Sequence, residues 1–242
     1  MKTLTDETLT DLIDKADGGM LILKEYTATG LTISSPGIWV QDCTFVQCRI
    51  ESKNLVTDKA DFHMCHLRGT QFNFRRSNMM TGTLEGKWLE LRDSRATDWT
   101  FSALSNCLLI RSHMENVFVN RSTLKLALHT SSMHRVGFDG SNIEGGSMRS
   151  STIYCTNSPQ ISSFLLNSSA IHGPGLLSLS IHPYSVLFTP TSVTIGCTSM
   201  TVDEWQNLSA EAFTEMFGSH AAEYRKQYMT VLVDLYQAYL RK

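Results

Sequence analysis

His63, Cys65 and His66 stand within four positions of one another, and imidazole nitrogen and thiolate sulfur are common zinc ligands. A structural zinc site takes four ligands, and no fourth one lies at a suitable spacing, so no metal is expected here. Asp93 and Asp98, five apart, have the residue types of an acid/base pair. Arg75, Arg76, Arg92, Arg95 and Arg111 gather donors suited to carboxylate or phosphate. The chain contains no phosphate loop, no Gly-x-Ser-x-Gly elbow and no His-Glu-x-x-His pair. What the remaining groups can do depends on which way each side chain points, and so on the elements that carry them.

Residues 40–186 return an apolar side chain at every fifth position. The longest run is Phe74, Met79, Leu84, Leu89, Trp99, Leu104, Leu109, Met114, Val119 and Leu124, with Ser94 the polar member. Two positions before these sit mostly small residues: Ser77, Gly82, Thr97, Ser102, Cys107, Ser112, Val117 and Ser122. Neither the helix period nor the strand period gives five, and a short fixed repeat means a solenoid. A corner every five residues closes a four-sided coil in about 20 residues, and coils stack about 4.8 Å apart. The central apolar residue and the small one two before it point to the axis; the other three face water. On this phase His63 and His66 face outward and Cys65 inward, so the three do not converge. Asp93 and Asp98 fall where a side chain bonds backbone at a corner.

Units such as Ala60-Asp61-Phe62, Ser77-Asn78-Met79, Thr97-Asp98-Trp99 and Ser141-Asn142-Ile143 resemble those of the pentapeptide-repeat family. The resemblance covers about 150 residues and implies a mainly β fold, a right-handed quadrilateral β-helix. The phase slips in places. Phe45, Ile50 and Leu55 share one register; Phe62, Leu67 and Phe72 share a second, with residues 57–59 as an excursion. After Leu124 the count restarts at Met133 and runs to Ile153, which places an insertion at 127–130. A last register runs Ile161, Leu166, Ile171, Leu176, Ile181 and Val186. In the long run Lys87 and Arg92 fall on inward positions and Ser94 on a central one. A cation does not fit a dry core without a partner. Either the register shifts there, so that Trp88 or Leu91 fills the core, or that face opens.

The predicted organisation is a capping segment over 1–39, the β-helix over 40–188 and a helical tail over 189–242. Residues 5–16 read as a helix capped by Thr5, with Leu9, Leu12, Ile13 and Ala16 on one face. Thr201-Val202-Asp203-Glu204 is a capping box, Ser209 opens a further helix ended by Gly218, and Ser219 caps a long one to Arg241. Tyr224, Tyr228, Val231, Leu232, Leu235 and Tyr239 form an apolar stripe on that helix, which must bury itself on the last coil, elsewhere on its own chain or on a second copy. The step from Gly196-Cys197 into the Glu204-Trp205 helix is similar to the tails of some phage- and prophage-type members of the family.

Cys43, Cys48, Cys65 and Cys107 fall on inward small positions, where a thiol acts as a small hydrophobe; Cys155 and Cys197 lie outside the good registers. No disulfide framework is expected. Net charge is −2, no apolar stretch reaches a membrane span and no signal core opens the chain, so the default is a cytoplasmic protein. Residues 40–186 hold 14 basic and 11 acidic side chains, while both ends are acidic.

The expectation is a non-enzymatic binding protein that engages and inhibits another macromolecule through the faces of its rod. No cofactor is expected, nor direct nucleic-acid binding. Candidate protein contacts are Arg75, Arg95 and Glu115, twenty apart and so in one column, with Trp88 and Arg92; Leu91 and Arg111 form another. Tyr224, Tyr228, Leu232, Leu235 and Tyr239 are the candidate docking helix of a homodimer. The family resemblance also implies DNA mimicry toward a type II topoisomerase, which needs an acidic stripe. A structural part of a larger assembly, or a delivered effector, is the other class.

Overall fold

The computed structural model describes residues 1–156, 160–161, 164–167, 169–181, 184–196, 198–218 and 221–240. Its body is a parallel β-solenoid of about 8 turns. The first coil starts at Met20, earlier than the capping segment allowed: Met20–Lys24, Tyr26–Thr29 and Thr32–Ser34 pair in parallel with the coil after them. Coil length is not constant. Gly37 lies opposite Asn54, Gln71 opposite Trp88 and Asn78 opposite Arg95, each a step of seventeen residues. Arg95 to His113 is eighteen, His113 to Ser132 nineteen and Ser132 to Thr152 twenty.

The short coils have three full sides. Side one is 37–41, side two 44–46 and side three 49–51, and the chain returns to side one through Ser52 and Lys53. In the long coils a fourth side is inserted at that return: Thr123 and Leu124 pair with Asn142 and Ile143. The full quintet pattern therefore holds in the coil from Ser131, where Met133, Val136, Phe138, Ser141, Ile143 and Met148 are all buried.

Within the run from Phe74 to Leu124 every central residue is buried. The pairing of inward residues reverses inside it. At 89–101 the second inward residue lies two after the central one: Leu89 with Leu91, Ser94 with Ala96, Trp99 with Phe101. Thr97 and Ser102, expected inside, point outward. This register shift keeps Lys87 and Arg92 out of the core; Leu91 fills it, while Trp88 remains 37% exposed. Ser94 is polar because it occupies the small corner position and not a central one. Two expected interruptions are also regular. Thr57 is buried within the strand Arg49–Arg75, and residues 127–129 belong to the strand Thr123–His129, whose Leu126 and Leu128 face the core. The irregularity lies in the next coil, where the register shifts between Leu124 and Leu126 against Gly145-Gly146.

The corners have their own chemistry. Glu25, Asp42, Lys59, Arg76, Asp93, Arg111, Thr130 and Ser150 form one column in which every φ is positive, between 47 and 61°. Just inside it runs a ladder of buried serines. The N–H of Ser77 donates to Ser94 Oγ, Ser94 to Ser112, Ser112 to Ser131 and Ser131 to Ser151, at 3.1–3.2 Å. These corner donors are satisfied from the next coil, so serine can be buried at little cost. At the next corner Gly82 makes room for Trp99: a Cβ there would lie 2.8 Å from the indole. Cys155, placed outside the registers from sequence, is buried in the same column as Cys48 and Cys65.

Helix α1 (Asp6–Ala16) covers the first coil, with Thr5 accepting from the Thr8 N–H and Asp17 ending it in the left-handed region. Leu4 and Leu9 join the solenoid core. At the other end the parallel ladders stop at Ala170–His172, and Leu177–Met200 form an antiparallel meander. Val186, expected on the last coil, is on that meander. Leu187 closes the solenoid core, while Val186 and Phe188 point the other way into a second core. The side chain of Ile181 lies outside the described residues, as does Cys197.

Three helices complete the second core: α2 (Val202–Asn207), α3 (Ala210–Phe217) and α4 (Ala221–Leu240). The Thr201–Glu204 capping box and the Ser209 cap are present. Ser219 and Arg241 lie outside the described residues. Trp205, Phe213, Tyr224, Leu232 and Tyr236 pack on Phe188, Val193 and Ile195, and Trp205 Nε1 donates to Val193 O at 2.7 Å. Part of the stripe drawn as a dimer surface covers its own chain's sheet: Tyr224 and Leu232 are buried and Tyr228 packs beside them, while Val231 is 50% exposed. Leu235 is exposed and Tyr236 takes the inward place; the side chain of Tyr239 is not among those described.

Candidate functional site

Because the coil step is seventeen at Arg75 and not twenty, the expected column of Arg75, Arg95 and Glu115 does not form. Arg75 stacks on Arg92 on side one. Trp88 stands on the same strand as Arg92, and Leu108 and Ile110 follow in the next coil. Arg95 lies on side two, opposite Asn78 and His113, and reaches Glu115 diagonally at 2.8 Å. The five candidate contacts therefore divide into a side-one group, Arg75, Trp88 and Arg92, and a side-two pair, Arg95 and Glu115. Leu91, paired with Arg111 in the expected second column, is buried on side one, while Arg111 is at a corner.

The carboxylates do structural work between coils. Asp93 accepts from Arg111 at 2.6 and 2.8 Å, and this guanidinium holds its carboxyl below the usual range. Asp98 accepts from Asn116, Asp58 from Arg76 and Asp61 from Asn78. Asp93 and Asp98 are both corner residues with positive φ, as the sequence reading placed them, but their partners are side chains of the next coil. They sit at different corners and form no acid/base pair. His63 and His66 point outward and Cys65 is 2% exposed; no group of three metal-ligating side chains exists among the described residues. Burial pushes the thiols of Cys107 and Cys155 up to about 12. A hydrogen bond from Cys65 lowers that of Cys48, yet Cys48 is 2% exposed and out of reach of a substrate.

Two features were not foreseen. The first is a groove of about 690 Å³ at the corner where the short coils lack a fourth side. Ser35, Ser52, Gly69, Gly86 and Ala103 stack as its floor, Glu51, Arg68 and Glu85 as one wall and Pro36, Lys53, Thr70 and Lys87 as the other. The glycines are required, since a Cβ on Gly69 would lie 1.8 Å from Ser52 O and one on Gly86 2.5 Å from the Phe72 ring. The sequence signal was the missing three residues per coil, which the search for a constant five concealed.

The second is an outward ladder on side two of the long coils. His134, Tyr154 and His172 stack with ring centroids 4.8 Å apart at each step, and His113 leans on His134 at 5.3 Å with its ring tilted by 47°. His113 Nδ1 bonds Ser132 Oγ at 2.7 Å, and its Nε2 lies 3.7 Å from Glu115. Burial, Arg95 and His134 together lower its pKa from the usual imidazole value.

The chain matches no protein-family model and no curated protein. No helix among the described residues is long and apolar enough to cross a membrane. The described surface mixes its charges at close range: Arg49 with Glu51, Lys59 with Asp42, Arg68 with Glu85, Arg76 with Asp58, Arg92 with Glu90 and Arg111 with Asp93.

Proposed function

We propose that this chain is a non-enzymatic binding protein of the pentapeptide-repeat kind, whose rigid rod engages and inhibits another macromolecule, a protein in the first instance. The observation that carries this reading is side one around Trp88. A partly exposed tryptophan shares the outward face of its strand with Arg92, four residues on, which is stacked on Arg75, and Leu108 and Ile110 lie half-buried in the adjoining coil. Tryptophan and arginine are the residue types that dominate protein interfaces. The parallel ladders hold them rigid, which lowers the entropy lost on docking.

Mimicry of DNA toward a topoisomerase is disfavoured because Asp42, Glu51, Asp58, Glu85, Glu90 and Asp93 of the short coils each lie beside a cation, while Asp61 and Asp98 are bonded by asparagines. The candidate dimer stripe gives Tyr224 and Leu232 to the chain's own sheet and leaves Val231 and Leu235 exposed, so the partner proposed first is a different molecule. Affinity capture from a bacterial lysate, run with the wild type and with Trp88→Ala/Arg92→Ala, tests the reading. A protein retained by the wild type and lost with the double variant supports side one as the contact. Equal capture by both removes it. A DNA supercoiling assay that shows gyrase inhibition would restore the topoisomerase reading.

A further inference from the structure

We infer that the corner groove of the short coils binds a linear acidic glycan, one that carries a carboxylate on alternate sugars. This goes beyond the partner reading and uses other residues. The groove spans five successive coils from Ser34 to Ala103, roughly 19 Å at the coil spacing, enough for several sugars. Its charge is asymmetric once pairing is counted. Glu51 is held by Arg49 at 2.7 Å and Glu85 by Arg68 at 3.4 Å. Lys53 and Lys87 on the opposite wall form no ion pair among the described residues, so the groove presents two unmatched cations.

The interval between those cations narrows the ligand. Lys53 and Lys87 are two coil steps apart in one column, about 9.6 Å along the axis. A glycan with one carboxylate per disaccharide spaces its charges at a similar interval. A nucleic acid places its phosphates closer together and needs exposed rings for its bases; none lines the groove. An acidic peptide needs pockets for its side chains, and the floor is flat backbone and small residues. A sugar chain meets what is present. Pro36, Gly69, Gly86 and Ala103 offer C–H surface to a pyranose ring, Ser34 and Thr70 offer hydroxyls, and Ser35, whose own proton goes to Gly37 O, offers an acceptor. The paired Glu51 and Glu85 retain lone pairs that accept from sugar hydroxyls.

The test is calorimetric titration of the full chain with the hexasaccharide of alternating glucuronate and N-acetylglucosamine at low salt. Hexaglutamate, a thymidine hexanucleotide and cellohexaose serve as comparisons. The hexasaccharide is expected to bind more tightly than all three. Lys53→Gln and Lys87→Gln are each expected to weaken it roughly tenfold, as loss of a charged hydrogen bond does, and the double variant to abolish measurable binding. Lys125→Gln, on the coil that has a fourth side, leaves it unchanged. All three lysines are exposed, so the fold is not at risk. Wild-type affinity in the double variant, tighter binding of hexaglutamate or the hexanucleotide, equal binding of cellohexaose, or no heat at millimolar hexasaccharide each overturns the proposal.

Discussion

The short coils and the long coils share one backbone ladder and fill it differently. The short coils hold Phe45, Phe62, Phe72 and Phe74, with Phe45 stacked on Phe62 at 5.1 Å and Phe74 edge-on to Phe62 at 5.5 Å. At matching places the long coils hold Met114, Met133, Leu128 and Met148, with Ser112, Ser122, Ser131, Ser141 and Ser151 at the corners. A coil with a side missing has fewer inward positions, and bulky rings fill the space. A coil with four sides has more inward positions and converging corners, where a small hydroxyl that bonds the next coil fits better. Stacking distance is thus common to both, while ring packing weighs more in the short coils and the serine ladder that begins at Ser77 runs on through the long ones.

The largest effect should come from the aromatic cluster. Phe62→Ala is expected to cost about 3–5 kcal/mol, the usual loss for a buried ring. Met133→Ala, in the same inward column of the long coils, should cost about 2 kcal/mol, because a flexible thioether leaves a smaller and more collapsible space. Urea denaturation of both variants checks the contrast. Equal losses would mean that the two regions are packed alike.

The serine ladder is the converse test. Ser131 Oγ accepts from the Ser112 N–H and donates to His129 O at 2.8 Å. Ser131→Ala leaves a buried N–H without its acceptor and should cost about 1–3 kcal/mol. Ala60 occupies the same column in the short coils and lacks a hydroxyl altogether, its own N–H being met by Ser77. A Ser131→Ala variant as stable as the wild type would show that the ladder is decoration and that packing alone holds both regions.

Much of this was legible in advance. An apolar side chain every fifth residue showed the solenoid and its central inward residues, since no other architecture requires that period. The caps at Thr5, Thr201 and Ser209 were legible because capping depends on a few adjacent residues. Coil length was not. The central residues from Phe74 to Leu124 keep a spacing of five while the inward partner moves from two before to two after, so the rhythm survives a change that displaces every outward column. A constant spacing groups Arg75 with Arg95 and Glu115; the shorter step takes Arg75 out of that group and leaves Arg95 paired with Glu115. The groove and the ring ladder depend on which residues stack between coils, and so were hidden by the same three residues.

Smaller effects follow from the outward columns. Arg111→Gln removes a bidentate partner from Asp93, but both groups are exposed. Such pairs contribute little and salt screens them. The expected outcome is a slight loss in melting temperature at low salt that vanishes at high salt, with the same behaviour for Arg76→Gln on its Asp58. A large loss that persists in salt would mean that the ion pairs, and not the core, set the corner geometry of both regions.

The ring ladder of the long coils gives the smallest effect and a defined sign. The folded pKa of His113 is lowered, first by burial and then by Arg95 and His134, against a smaller upward pull from Glu115. The unfolded chain therefore takes up the proton first as pH falls. The stability that His113 contributes is present above about pH 6.5, its unfolded value, and is lost as pH falls through the folded pKa. Between about pH 7.5 and 5.5 the wild type should lose more stability than His113→Gln, which has no proton to gain at that position. Urea midpoints measured across that range decide it: parallel curves would mean that His113 is as free to protonate in the ladder as in the unfolded chain. A steeper fall in the variant would reverse the sign and show that Glu115, and not burial, governs the ladder.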